Sequence, residues 1–224
     1  MAKILLIGGN SVIGRALARG VMRRTDSDEI ICVSRKAPNQ EIKGYRSIIT
    51  DDYLNFDFSE LLGAEKIVAV VLAFGVLDRQ EGDFLVSLER NYEVNVFMYL
   101  RVLSKVISNV ANNEGKEIHI TSSVLSDFTR EEVAAYSFSK QTMQSVAELL
   151  LQKHSDQTFF WKFAYVDSPL NNDRVRSPIF TTPESIETAA FKRAKGGTYY
   201  VPQIARIPSR FLFHFPRLKG LVGR

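Results

Sequence analysis

Tyr136 and Lys140 stand four residues apart in Ala135-Tyr136-Ser137-Phe138-Ser139-Lys140, a spacing that puts both on one face of a helix. An isolated phenol, with a pKa of about 10, neither gives nor takes protons readily at neutral pH. A cation one helical turn away favours the phenolate and is expected to lower that pKa. Such a pair suits proton transfer at a carbinol or carbonyl oxygen. Hydroxyls lie upstream in Ile120-Thr121-Ser122-Ser123, and an amide, Asn95, stands in Tyr92-Glu93-Val94-Asn95-Val96.

These groups need a scaffold, and the hydropathy pattern supplies one. Apolar runs predict strands over Lys3 to Ile7, Glu29 to Ser34, Arg46 to Ile49, Ile67 to Ala73, Glu117 to Thr121, Thr158 to Ala164 and Thr198 to Val201. Helices are expected over about Val12 to Arg24, Phe84 to Val110 and Val133 to Leu151. A further one is expected from Pro183 to about Ala194, with Thr182 as its N-cap. Strands alternating with helices predict a single-domain α/β fold, a doubly wound parallel sheet covered on both faces. Ligands of such sheets bind at the carboxyl ends of the strands.

The first strand ends in Gly8-Gly9-Asn10-Ser11-Val12-Ile13-Gly14. Glycines let the backbone turn tightly and approach a pyrophosphate, and the N-terminus of the following helix offers free N–H groups and a positive dipole end. A plain strand-to-helix turn would use the same residues, and the middle glycine of the dinucleotide motif is missing. The second strand ends Val33-Ser34-Arg35-Lys36. An acid there would bind ribose hydroxyls, whereas a hydroxyl followed by two cations suits a 2′-phosphate. NADP(H) is therefore preferred over NAD(H) as the expected cofactor, with a solvated basic turn as the alternative. Asp51 or Asp52, at the third strand end, either accepts from the adenine amino group or serves as a turn residue.

Bulk properties narrow the function classes. The chain has 224 residues, 45% of them hydrophobic and 24% charged, enough for a substantial core. The one cysteine, Cys32, permits no intrachain disulfide and is expected to be an inert core thiol. No stretch approaches the roughly 18 apolar residues that span a bilayer, and the start lacks a signal-peptide pattern. A cytoplasmic protein is expected. His119, His154 and His214 lack ligand spacing, so no metal is expected. The net charge of +4 is a local feature: Lys192, Arg193, Lys195, Arg206, Arg210, Arg217, Lys219 and Arg224 follow Glu187 with no acid among them. That distribution argues against a nucleic-acid groove.

In order and spacing, Gly8 to Gly14, Asn95, Ser122-Ser123 and Tyr136 to Lys140 resemble the short-chain dehydrogenase/reductase family over about residues 1–170. The resemblance implies a Rossmann-like domain and an NAD(P)-dependent oxidoreductase interconverting a ketone and a secondary alcohol. It implies that Tyr136 protonates the carbonyl oxygen, that Lys140 lowers the Tyr136 pKa and holds the nicotinamide ribose, and that Ser123 donates to the substrate oxygen. Asn95 would position a water in a proton relay. Cofactor contacts are implied for Gly8, Asn10, Ser11, Val12, Ile13, Gly14, Ser34, Arg35, Asp51, Ala73, Gly75, Tyr136, Lys140 and Ser168. Two departures stand out. Leu72-Ala73-Phe74-Gly75 replaces the family's Asn-Asn-Ala-Gly, and Phe163-Ala164 replaces its Pro-Gly.

The implied partners are a small carbonyl or alcohol substrate and a second copy of the chain, as homodimer or homotetramer through the two long helices. The basic, aromatic tail, about residues 202–224, is expected to pack on its own subunit or a neighbour. The alternative is contact with an anionic membrane surface or a lipid-linked substrate. Two other functions compete: a nucleotide-sugar epimerase or dehydratase, which shares the triad but usually carries a larger C-terminal region, and a non-catalytic nucleotide-sensing protein on the same fold.

Overall fold

The computed structural model describes residues 1–37, 43–78, 82–110, 116–166 and 180–207. The apolar runs form strands β1 (Lys3–Ile7), β2 (Glu29–Ser34), β3 (Tyr45–Ile49), β4 (Ile67–Leu72), β5 (Glu117–Ser123) and β6 (Thr158–Phe163). Two short strands follow, β7 (Tyr165–Val166) and β8 (Phe180–Thr181), and then β9 (Gly197–Val201). Seven of them make one parallel sheet in the order β3-β2-β1-β4-β5-β6-β9, while β7 and β8 pair separately. The order reverses between β1 and β4, which opens a crevice at the carboxyl ends of those two strands.

Helices cover both faces: α1 (Val12–Thr25), α2 (Phe58–Ala64), α3 (Phe84–Tyr92), α4 (Tyr99–Val110), α5 (Ala134–Leu150) and α6 (Pro183–Lys192). Alternate strand residues face opposite layers. Leu5, Val70 and Ile120 pack under α4 and α5, whereas Ile4, Leu6 and Trp161 pack under α1 and α6. The expected Thr182 N-cap holds, its hydroxyl accepting the Ser185 N–H with Pro183 at the first helical position.

Helix α2 was not anticipated. Its seven residues are too few to show a period, but Asp57 caps it, accepting from the N–H groups of Ser59 and Glu60, while Phe58, Leu61 and Leu62 are buried. The long helix expected from Phe84 to Val110 is interrupted by a π-helical segment, Glu93–Met98. Among the described residues, no helix is long and apolar enough to cross a membrane. The tail from residue 208 onward and Ser168 lie outside the described residues.

Candidate active site

The crevice is assembled from four chain segments. The first is the β1–α1 turn. Gly8 has a φ of 95°, and a Cβ on it would lie 2.7 Å from the Ala73 carbonyl carbon and oxygen and 2.9 Å from the Phe74 nitrogen. Only glycine supplies both that backbone conformation and that close approach. Ser11 caps α1, accepting the Gly14 N–H at 3.1 Å. The N–H groups of Val12 and Ile13 find no acceptor among the described residues and stand at the positive end of the helix dipole.

The second segment is the end of β2. Gly8 and Gly9 donate to the Val33 carbonyl, and Asn10 Nδ2 donates to the Lys36 carbonyl at 2.7 Å, so the two turns are tied together. Asn10 Oδ1 accepts from Arg15 Nη2, and Arg15 Nε donates to the Gly9 carbonyl. Buried Ser34 donates its hydroxyl to the Lys36 carbonyl at 2.7 Å, which leaves its oxygen as an acceptor only, while Arg35 and Lys36 are exposed. Of the two acids at the end of β3, Asp52 is a turn residue, accepting from the Leu54 N–H and Asn55 Nδ2. Asp51 is exposed.

The third segment follows β4, where the sequence departs from the family it resembles. Phe74 packs between Tyr53 and Tyr99, with ring centroids 5.1 and 4.9 Å away, so an aromatic ring stands where the family it resembles has alanine. Tyr99 and Thr121 both donate to the Leu72 carbonyl at 3.0 Å. Buried Ala73 donates its N–H to Ile7. A Cβ on Gly75 would stand 2.8 Å from Asn95 Oδ1 and 3.3 Å from Lys140 Nζ, so Gly75 leaves open a cradle between them.

The fourth segment is formed by β5, the π-helical turn and α5, which bring Ser123, Asn95, Tyr136 and Lys140 together. Asn95 is fully buried. Its Oδ1 accepts the Val76 N–H at 2.9 Å, and its Nδ2 donates to the Val76 carbonyl at 2.9 Å and to Ser139 Oγ at 3.1 Å. Ser139 in turn donates to the Tyr136 carbonyl, linking the π-helical turn to the Tyr-Lys helix. A wider helical turn at a candidate site is a common device, and here it seats the amide against the β4 loop. The Ser123 hydroxyl accepts the Leu125 N–H at 3.2 Å and lies near enough to the Tyr136 phenol to draw its pKa down.

The electrostatics correct one expectation. Lys140 was expected to lower the Tyr136 pKa, yet burial pushes the phenol up to about 12 and only Ser123 draws it down. Burial also pushes the Lys140 amine down to about 8. The Lys140 ammonium faces aromatic ring faces, 5.8 Å from the Tyr99 centroid and 5.7 Å from that of Tyr136. Desolvation sets the direction of the shift for both groups.

A dinucleotide fits these residues. The unpartnered N–H groups at α1 suit a pyrophosphate, and the open cradle beside Gly75 leaves room next to Lys140. Ser139, Tyr99 and Thr121 escaped the sequence reading because small polar groups and a tyrosine in an apolar stripe look like ordinary helix and strand residues. Lys162 carried a signal that went unused: a cation inside the apolar run Thr158–Phe163 requires a buried partner.

No protein-family model matches the sequence, and no curated protein matches it. The structure, however, is similar to solved ones. The short chain dehydrogenase of Burkholderia cenocepacia in complex with NADP superposes with a TM-score of 0.76 at 16% identity, over 94% of this chain and 92% of that one. The 3-oxoacyl-[acyl-carrier protein] reductase of Brucella melitensis in complex with NAD gives 0.72 at 16%, over 92% and 97%. The ligand-free aldohexose dehydrogenase of Thermoplasma acidophilum gives 0.69 at 18%, over 89% and 92%. At such identities the likeness is one of architecture: the chain has the fold of the short-chain dehydrogenases/reductases.

Proposed function

We propose that the protein is an NADP(H)-dependent oxidoreductase that interconverts a ketone and a secondary alcohol, with Tyr136 as general acid and base. The observation that carries this reading is the convergence of Ser123, Tyr136 and Lys140 beside Gly75 at the carboxyl ends of β4 and β5. Similar structures solved with NADP or NAD support a nicotinamide dinucleotide. The cations Arg35 and Lys36 favour the 2′-phosphate form.

Bound NADPH would supply the hydride. The N–H groups of Val12 and Ile13 would receive its pyrophosphate, and Lys140 its nicotinamide ribose. Tyr136 gives its phenolic proton to the substrate carbonyl oxygen, and Ser123 donates a hydrogen bond to the same oxygen. Both donors stand in place before charge develops there. Protonated Lys140 stabilises the phenolate left behind. Asn95, its side chain committed to Val76, shapes the turn at which a relay water would return the proton to Tyr136.

We further propose self-association through the two long helical stretches, residues 84–110 and α5, which expose Leu85, Phe97, Phe138 and Leu149. Sedimentation velocity of the wild type is expected to show a dimer or tetramer. A cytoplasmic location belongs to the same reading, with the tail packed on its own subunit or a neighbour. Liposome flotation with and without residues 206–224 tests the alternative, contact with a membrane surface, and equal binding would end it.

The function is tested by NADPH oxidation against a panel of ketones and aldehydes, with NADPH binding followed by fluorescence. The wild type is expected to turn over and to prefer NADPH to NADH. Tyr136→Phe is expected to bind NADPH normally and turn over at least about 100-fold more slowly. Wild-type binding without turnover on any carbonyl would favour the nucleotide-sensing alternative.

A further inference from the structure

Lys162 and Asp127 form an ion pair whose side chains are 5% and 15% exposed. The second Asp127 oxygen accepts the Tyr200 phenol at 2.9 Å, and the Lys162 ammonium also lies over the Tyr200 ring, 5.5 Å from its centroid. In register, Ser122, Lys162 and Tyr200 are opposite one another on β5, β6 and β9. Asp127, on the loop that leaves β5, therefore bridges β6 and β9, the two strands that follow β5 to that edge of the sheet.

What Asp127 holds is the turn that carries Ser123. Residues Val124–Ser126 form one tight turn. Ser123 caps its start, accepting the Leu125 N–H, and Asp127 closes its end, donating its N–H to the Val124 carbonyl at 3.0 Å. Ser126 donates to the Ser123 carbonyl at 2.7 Å, which ties the two ends of the turn together. One end thus carries the hydroxyl that meets Tyr136, and the other is clamped to β6 and β9.

We propose that Asp127 and Lys162 are positioning residues: their ion pair sets where the Ser123 hydroxyl stands against the Tyr136 phenol. The inference rests on the oxidoreductase reading and adds how its site is held. Stability is a poor explanation for the pair, because apolar residues of similar volume usually serve a buried position as well or better. What an apolar pair lacks is direction. A carboxylate gripped by an ammonium and a phenol has one orientation, and the turn behind it inherits that orientation. A misplacement of about 1 Å at a reacting group can slow a reaction about 100-fold.

The test compares Asp127→Asn, Lys162→Met and the double variant Asp127→Leu/Lys162→Met with the wild type. NADPH oxidation is followed with 2,3-butanedione, cyclohexanone, benzaldehyde and ethyl acetoacetate, alongside thermal melting and NADPH affinity. The single variants are expected to melt lower, and the double variant to recover the melting temperature. In all three, kcat is expected to fall about 10- to 100-fold with NADPH affinity within about two-fold of wild type. In a Ser123→Ala background, Asp127→Asn is expected to lower kcat no further, because it acts through Ser123. Recovery of kcat together with melting temperature in the double variant would overturn the proposal, as would additive losses with Ser123→Ala. A wild type inactive on all four carbonyls would instead remove the reading on which the proposal rests.

Discussion

The Lys140 ammonium lies over the Tyr136 ring, 5.7 Å from its centroid, in a buried position that lowers the amine's pKa to about 8. Below that pH the amine is charged and stabilises the phenolate formed as Tyr136 gives up its proton. Above it the charge is lost. The rate of carbonyl reduction at saturating NADPH is therefore expected to be high below about pH 8 and to fall as pH rises through it. A pH profile of kcat that stays level from 7 to 10 would contradict this assignment.

The same burial costs stability. The unfolded chain holds the Lys140 proton up to its ordinary value of 10.5, the folded chain only to about 8. Between those values the unfolded state binds more protons, so stability rises with pH across that window, and below it the folded state carries the full penalty. The penalty is on the order of 3 kcal/mol. Lys140→Met is expected to raise the urea midpoint at pH 7 while abolishing turnover.

Acid sensitivity is expected to come from a buried chain under α1. Trp161 Nε1 can only donate, so His119 Nδ1 accepts it at 3.0 Å and Nε2 carries the proton toward Glu117 at 2.9 Å. Burial pushes the His119 pKa down, against a partial pull from Glu117. Burial would raise the Glu117 carboxyl, but His119 and Arg24 outweigh it and hold it at about 2. Unfolded histidine takes up a proton below about 6.5, which the folded state resists, so stability falls as pH drops through that value. A second loss, between 4.5 and about 2, follows as the unfolded glutamate protonates before the folded one does. Glu117→Gln is expected to flatten the lower limb and to cost about 3 kcal/mol at pH 7 by leaving Arg24 without its buried partner. Urea denaturation from pH 3 to 8 reads both effects.

Gly75→Ala puts a methyl against Asn95 Oδ1 and Lys140 Nζ. Asn95 is held by Val76 on both sides, so it cannot move aside without breaking that pair. Overpacking of this kind costs about 1–3 kcal/mol. Activity and NADPH affinity are expected to fall more than the melting temperature, because the intrusion fills the cradle and leaves the two core layers alone. A variant with wild-type affinity would place the cofactor elsewhere.

Much of the architecture was legible from local pattern. Continuous apolar runs such as Ile67–Leu72 are buried on both faces and leave no ambiguity of period. The Gly8 turn and the Tyr136–Lys140 spacing are local geometry, and a sequence window contains all of it. Helix α2, the π-helical turn and the Phe74 stack were not legible, because each depends on contacts from distant segments. The direction of the Tyr136 pKa escaped for the same reason: spacing shows that a cation is near, but not how much water is excluded around it.

By itself, the sequence determined the alternation of strand and helix, the turn at Gly8 and the presence of a hydroxyl, a phenol and an amine in a fixed order, since each follows from short-range sterics and periodicity. Only the tertiary structure decided that Ser123 meets Tyr136, that Asn95 is bound to Val76, and that Lys162 on β6 grips Asp127 beyond β5. Burial and orientation are properties of packing between segments remote in the chain, and no local pattern contains them.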